Sequence, residues 1–211
     1  MISLPVYDKS GKEVGNLKVA ESAFGGRVRY ALLKQAIVMY NANKRVGTAA
    51  TKGRGQIEGS TKKIYAQKHT GNARAGTVRT GKRVGGGVTF GKKARDFSQD
   101  MPRKQKKLAR DSAILSKLLS NNVVVVDQLA FEKPKTKDFA NILGNLKIER
   151  SCLVIIGEHN DTLWRSARNI PKVSVLLAAE SNAGDICRHT KLLFTKEAFL
   201  SLMNKNESGE N

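Results

Sequence analysis

Hydrophobic and polar residues alternate along the first part of the chain. The runs at 2–7 and 14–19 place an apolar residue at every second or third position, and a turn-forming Asp-Lys-Ser-Gly stretch at 8–11 separates them. This pattern predicts a β-hairpin. Pro5 has no backbone N–H to donate to a neighbouring strand, so the first strand is predicted to lie at a sheet edge.

Two predicted helices flank a long segment without hydrophobic periodicity. Apolar residues recur every three or four positions at about 27–42, after a pair of glycines. The second helix is predicted at about 103–120, because Pro102 is a helix-start signal and leucines follow it at helical spacing.

Beyond the second helix, short apolar runs alternate with amphipathic segments. The apolar runs are 123–126, 153–156, 173–177 and 192–194, and helices are predicted after them at about 135–146, 160–168, 182–188 and 196–204. Continuous apolar runs are typical of strands buried on both faces of a parallel sheet. Right-handed crossovers then predict a three-layer, doubly wound, mostly parallel α/β fold. The polar tail at 204–211 is predicted to fray.

The segment 44–107 carries most of the charge. It holds 18 of the 38 Lys and Arg residues, three of the 18 acidic residues and 11 of the 19 glycines, which is +15 of the net charge of +20. Its large apolar residues are too few and too dispersed to order it alone. We therefore predict a single globular α/β domain at 1–43 and 108–211, with a long, basic, glycine-rich extended loop at 44–107.

The composition of this loop predicts a folded polyanion as its partner, and the pI of about 10.2 indicates nucleic acid or an anionic membrane surface. Lys and Arg neutralise phosphates, and the glycines between them let the backbone approach a bulky ligand. No apolar run reaches the roughly 18 residues of a membrane span and no signal peptide is evident, so we expect a cytoplasmic protein with no membrane partner. The predicted RNA-binding residues are Lys44, Arg45, Lys52, Arg54, Lys62, Lys63, Lys68, Arg74, Arg79, Lys82, Arg83, Lys92, Lys93, Arg95, Arg103, Lys104, Lys106 and Lys107.

The predicted second helix begins with a cluster of cations. Arg103, Lys104, Lys106, Lys107 and Arg110 lie in its first turns, where positive charge opposes the helix dipole. Folding alone does not favour such a cluster, whereas an anionic ligand does. A solvated basic face is the alternative interpretation.

One segment could carry catalytic chemistry, because ligands of open α/β sheets bind beyond the carboxyl ends of the strands. A predicted strand is followed there by Gly-Glu-His-Asn-Asp at 157–161. Glu158 or His159 could act as a general base, and Asp161 as a metal ligand. The helix that follows also needs an N-cap, which Asn160 or Asp161 would provide. We favour capping over catalysis.

The remaining motifs add no cofactor site. No dinucleotide-binding glycine motif follows a predicted strand and no P-loop motif occurs. Cys152 and Cys187 each stand alone in apolar segments, as buried free thiols do. The glycines at 85–87 could cradle a phosphate, but they follow no strand, so a hinge or a close approach of the backbone to RNA is the better interpretation. We expect no metal, cofactor, small-molecule substrate or enzymatic activity.

Three aromatic residues stand out. Tyr65 and Phe90 are isolated among cations, where each could stack on an RNA base or pack on a neighbouring residue. Trp164 is predicted to pack its helix onto the sheet.

Four stretches of the chain are distinctive. They are Lys-Lys-Ile-Tyr-Ala-Gln-Lys-His-Thr-Gly-Asn-Ala-Arg-Ala-Gly at 62–76, Gly-Gly-Gly-Val-Thr-Phe-Gly-Lys at 85–92, the helix at 101–119 and Val-Val-Val-Val-Asp at 123–127. In these stretches, and in the order of its elements, the chain resembles the bacterial large-subunit ribosomal protein L4 (uL4) family. The resemblance implies a structural protein of the ribosome that binds large-subunit (23S) rRNA and supports early subunit assembly.

The resemblance also implies a position for the loop. It would thread through the rRNA and line the nascent-peptide exit tunnel opposite a protein of the uL22 type, among neighbouring ribosomal proteins, with the nascent peptide passing by. By position, Lys63, Tyr65, Gln67 and Lys68 would lie nearest the lumen, and Thr70, Gly71, Arg74 and Gly76 against RNA. The tip departs from the family pattern, since Ile-Tyr-Ala-Gln replaces Pro-Trp-Arg-Gln at 64–67 and His-Thr-Gly-Asn replaces Gly-Thr-Gly-Arg at 69–72.

Other classes stay open on the residues alone. Another RNA-binding protein, or an RNA-modifying enzyme with an α/β domain, is one alternative; the enzyme would depend on groups such as Glu158 and His159. A DNA-compacting protein would share the charge, but it should bind duplex DNA as tightly as rRNA.

Overall fold

The structure is built on one six-stranded sheet. It is a computed structural model that describes residues 1–131 and 133–207, and it describes 205–207 by their backbone alone. The strands are β1 (Ile2–Tyr7), β2 (Glu13–Val19), β3 (Val123–Val126), β4 (Cys152–Ile156), β5 (Val173–Leu177) and β6 (Lys191–Thr195). Their order is β2-β1-β3-β6-β4-β5; β1 and β2 are antiparallel and the other neighbours are parallel. The predicted mixed α/β fold, with a mostly parallel sheet and an N-terminal hairpin, is confirmed.

The helices follow the predicted order with small differences at their ends. They are α1 (Tyr30–Asn43), α2 (Arg103–Leu119), α3 (Thr136–Asn145), α4 (Asp161–Ala167), α5 (Ala183–Arg188) and α6 (Lys196–Glu207). The first helix begins three residues later than predicted, after Gly25 and Gly26, which both have positive φ. Because α6 continues to Glu207, residues 204–207 are helical rather than frayed, and the rest of the predicted tail, 208–211, lies outside the described residues.

Strand residues alternate between two hydrophobic clusters. On β4, Leu153 and Ile155 belong to a cluster that includes residues of α1, α2, α5 and α6. Cys152, Val154 and Ile156 belong to the other, which includes residues of α3 and α4. The whole of β4 is therefore buried, as expected for a central parallel strand between apolar surfaces.

Two packing predictions are wrong. β1 lies between β2 and β3, so Pro5 does not mark an edge strand. Because β1 pairs with β3 only at Val6 and Tyr7, the missing N–H of Pro5 falls before the paired stretch. Trp164 does not pack α4 onto the sheet either. It is 39% exposed and lies under the guanidinium of Arg168, whereas Leu163 is buried in its place.

The chain divides into two compact units. The body comprises Met1–Asn41 and Gln99–Asn211, and the basic unit comprises Ala42–Ser98. The basic unit contains no strand and, beyond the last turn of α1, no helix. No helix in the described ranges combines the length and apolar character needed to cross a bilayer.

Candidate nucleic-acid interface

The cations of the basic unit face solvent. This unit holds 14 Lys and Arg residues and two acidic residues, Glu58 and Asp96. All of its cations except Arg79 are exposed. Hydrogen bonds from the Ser98 hydroxyl and backbone N–H lower the pKa of Asp96. The unit therefore presents a large excess of positive charge, which suits a polyanion.

Backbone hydrogen bonds fold the basic unit without regular strands. They run from Arg95 N to Gly47 O (3.2 Å), Thr51 N to Lys92 O (2.9 Å), Val88 N to Lys52 O (2.9 Å) and Ile64 N to Gly76 O (3.1 Å). The first three bonds hold the limbs 47–52 and 88–95 side by side. Predicted RNA-binding cations of both limbs, such as Lys52 and Lys92, are thus brought together.

Two of the glycines at 85–87, Gly86 and Gly87, make close backbone contacts within the protein. A Cβ added at Gly86 would lie 2.0 Å from Thr80 O, and one added at Gly87 would lie 2.2 Å from Arg54 N. The close approach that requires Gly86 and Gly87 is therefore to the protein's own backbone, whereas nothing lies within 4 Å of a Cβ added at Gly85, whose φ is positive. Their contact with RNA stays a prediction.

One aromatic ring orders two of the predicted RNA-binding arginines. The guanidinium carbons of Arg45 and Arg95 lie 4.1 Å and 4.3 Å from the centroid of the Phe97 ring. The same residues, with Lys92 and Lys93, line a cavity of about 590 Å³. A guanidinium group held in this way can donate two parallel hydrogen bonds to the oxygens of one phosphate. Sequence reasoning missed Phe97, since an isolated phenylalanine gives no periodic signal.

The predicted tip residues are held by local hydrogen bonds. Lys63 Nζ donates to Gln67 Oε1 (2.8 Å) and to the backbone oxygen of Ala75 (2.9 Å). The Tyr65 hydroxyl donates to the backbone oxygen of Ala73. Lys68 is exposed.

A cavity of about 820 Å³ lies within the basic unit and collects two aromatic and four cationic side chains. Its lining includes Tyr65, Phe90, Arg54, Arg74, Lys82 and Arg83. Four predicted RNA-binding residues are therefore grouped with the two candidate stacking residues.

The first turns of α2, in the body, keep exposed positive charge. The first turn holds no acidic residue and Pro102 provides no side-chain cap. Lys106 Nζ lies 2.9 Å from Asp100 Oδ1, and this hydrogen bond lowers the pKa of the Asp100 carboxyl. Arg103 and Lys104 are exposed to solvent, where they are available to an anionic ligand.

The segment after β4 caps a helix, as predicted. The Asn160 side-chain oxygen accepts hydrogen bonds from Thr162 N (3.1 Å) and Leu163 N (3.2 Å). His159 Nε2 lies 2.8 Å from Asp161 Oδ1, with both side chains 65% exposed. Among the described residues, no group of three or more His, Cys, Asp or Glu side chains could hold a metal ion.

The two cysteines are free thiols in different surroundings. Cys152 is fully buried, and burial raises its pKa to about 12. Cys187 is only partly buried, so the prediction of a buried thiol is correct for Cys152 alone. Burial also raises the pKa of Cys187, against the opposing effect of the Lys117 charge.

These features define an α/β protein that carries a cation-rich, glycine-rich unit suited to a polyanion. The chain belongs to the ribosomal protein L4/L1 family, which it matches over residues 17–205. The predicted resemblance is thereby confirmed. So is the expectation of a protein that is not an enzyme, because this is a family of structural ribosomal proteins.

Three relatives illustrate the similarity, and each is named large ribosomal subunit protein uL4. The relative from Dehalococcoides mccartyi is 43% identical over 93% of this chain and 94% of its own length. The relative from Alkaliphilus metalliredigens is 41% identical over 94% of this chain and 96% of its own length. The relative from Carboxydothermus hydrogenoformans is 40% identical over 96% of this chain and 98% of its own length.

Proposed function

We propose that this protein is a structural constituent of the large ribosomal subunit, acts in the cytoplasm within the ribosome and binds 23S rRNA and neighbouring ribosomal proteins. The observation that carries the proposal is the basic unit, in which 14 cations accompany two carboxylates. The similarity of the protein to the uL4 relatives over almost its whole chain supports the same assignment.

The two predicted parts of the chain have different roles. The globular α/β domain at 1–43 and 108–211 is a three-layer, doubly wound body, supported by the alternation of strand residues between two helix-lined clusters. The segment 44–107 is the RNA-binding loop, whose last residues form the first turn of α2. At about 3.3 Å per residue in each direction, such a loop can reach on the order of 100 Å into folded RNA.

The cations of this loop bind phosphates, and RNA shape supplies specificity. The predicted residues run from Lys44 and Arg45 to Lys106 and Lys107. The pair of guanidinium groups on Phe97 supports the assignment, because ordering them beforehand lowers the entropy lost on binding. RNA specificity of this kind depends on shape and unpaired bases rather than groove reading.

The tip of the loop lines the nascent-peptide exit tunnel, opposite a protein of the uL22 type. Lys63, Tyr65, Gln67 and Lys68 are the residues nearest the lumen, where the nascent peptide passes them. The family match, which spans this segment, supports the placement. The same family match supports an early role for the protein in subunit assembly.

Equilibrium binding of the full chain to 23S rRNA, 16S rRNA and duplex DNA tests the function. If six to ten cations displace counterions, affinity falls by roughly three to five decades between 50 and 200 mM salt. We expect this steep dependence together with a preference for 23S rRNA. Equal affinity for duplex DNA at every salt concentration would instead support a DNA-compacting protein.

A further inference from the structure

The cavity shared by Tyr65 and Phe90 has the character of a nucleotide site. It measures about 820 Å³, within the range of roughly 300–1,000 Å³ that small-ligand sites occupy. Its lining contains four cations and no carboxylate. A positively charged hollow with aromatic groups suits a ligand that carries both an aromatic ring and a phosphate.

Phe90 is held in an unusual state for a phenylalanine. Its side chain is fully exposed, and its φ of 52° lies in the left-handed region that few residues other than glycine adopt. A free aromatic ring in a strained backbone gains no packing energy within the protein. Such strain is found where surrounding contacts fix the residue, often for a ligand.

Backbone contacts hold the segment that precedes Phe90. Gly87 N donates to Arg79 O (3.0 Å) and Val88 N donates to Lys52 O (2.9 Å). A Cβ added at Gly81 would lie 2.7 Å from Gly87 O, so the two segments are in close contact. On another part of the lining, the Tyr65 hydroxyl is bound to the backbone of Ala73. These contacts hold parts of the lining together within the protein.

We propose that this cavity receives one unpaired nucleotide of the bound RNA. The base stacks on the Phe90 ring, Tyr65 forms part of the lining, and the flanking phosphates are neutralised by the surrounding cations, which are Arg54, Arg74, Lys82 and Arg83. Every base has an aromatic face, so the site accepts any base that the RNA fold leaves unpaired. The inference rests on the proposed RNA-binding function and assigns one contact within it.

Replacement of Phe90 in the full chain tests the stacking contact. Phe90→Leu keeps an apolar side chain but removes the aromatic face, and we expect 23S rRNA affinity to fall roughly five- to hundredfold. Since no charge is lost, the slope of log affinity against log salt stays unchanged. Phe90→Trp should retain the affinity, and Val84→Ala, at another exposed apolar side chain of the unit, should have no effect.

Arg74→Gln provides the opposite signature, because loss of one phosphate contact lowers the salt slope by about 1. Ultraviolet crosslinking of the wild-type complex should leave a nucleotide adduct on the peptide that contains Phe90 or Tyr65. Wild-type affinity in Phe90→Leu, a changed salt slope in that variant or no adduct at either residue would overturn the proposal. If the wild-type protein itself shows no preference for rRNA, the proposed function fails, and the two failures are distinct.

Discussion

Asn160 is the N-cap of α4, and its side-chain oxygen accepts hydrogen bonds from Thr162 N and Leu163 N. Replacement by alanine leaves two backbone donors without this acceptor, so Asn160→Ala should lower the free energy of unfolding by about 1 kcal/mol. Asn160→Asp keeps the acceptor and should stay within a few tenths of wild type. Urea denaturation measures both; equal stability of the alanine and aspartate variants would contradict the capping role.

Cys152 should make stability fall at alkaline pH. Its pKa is about 12 in the folded protein and near 9 when exposed, so above pH 9 the unfolded state loses a proton that the folded state keeps. The contribution of this thiol to the free energy of unfolding is fully present below pH 9 and is lost as pH rises toward 12. Between pH 7 and pH 10, wild type should lose about 1 kcal/mol more than Cys152→Ala. Identical pH profiles in urea denaturation would show that the thiol is not buried.

Residue-scale features were predictable where chemistry is local. The cap at Asn160 follows from a polar residue just before a helix, and the buried state of Cys152 follows from its apolar neighbours in the chain. Trp164 and Phe97 were not predictable. Their partners, Arg168 and the arginines at 45 and 95, cover rings that an apolar pattern would assign to a core.

At the element scale, the first turn of α2 should oppose folding and favour binding. Arg103 and Lys104 lie where the helix dipole disfavours positive charge. The double replacement by glutamine should therefore raise the free energy of unfolding by about 1 kcal/mol. It should also weaken 23S rRNA binding and lower the salt slope by about 1 to 2.

Lys12 and Lys18 provide the control for this pair. Both are exposed cations of the N-terminal hairpin region and neither is a predicted RNA-binding residue. Their replacement by glutamine should leave the salt slope unchanged. If the Arg103 and Lys104 variant neither gains stability nor loses affinity, the cations form a solvated face, as the alternative interpretation holds.

The regular elements were predictable because their periodicities are strong. Four apolar runs predicted β3 to β6, and the alternating pattern predicted the hairpin. The basic unit gave no such signal, since bonds such as Arg95 N to Gly47 O join residues far apart in sequence. The position of β1 inside the sheet depended on β3, more than 100 residues later, which a local pattern cannot reveal.

For the whole molecule, the body should fold without the loop. All members of both hydrophobic clusters lie in 1–41 and 99–211, so deletion of 50–95 removes none of them. The deletion takes away 12 cations, and with them most of the 23S rRNA affinity and salt dependence. Circular dichroism and equilibrium binding measure the two effects. Undiminished rRNA binding by the deleted protein would contradict the assignment of the loop.

Fractionation of a cell lysate on sucrose gradients at moderate and high salt tests whether this protein is a constituent of the large ribosomal subunit. If the protein is a structural constituent of that subunit, it should migrate with the subunit in stoichiometric amount. It should also remain there at high salt, because folded rRNA would enclose the loop in the proposed assembly. Migration as a free protein, or dissociation from the subunit as salt rises, would contradict this role.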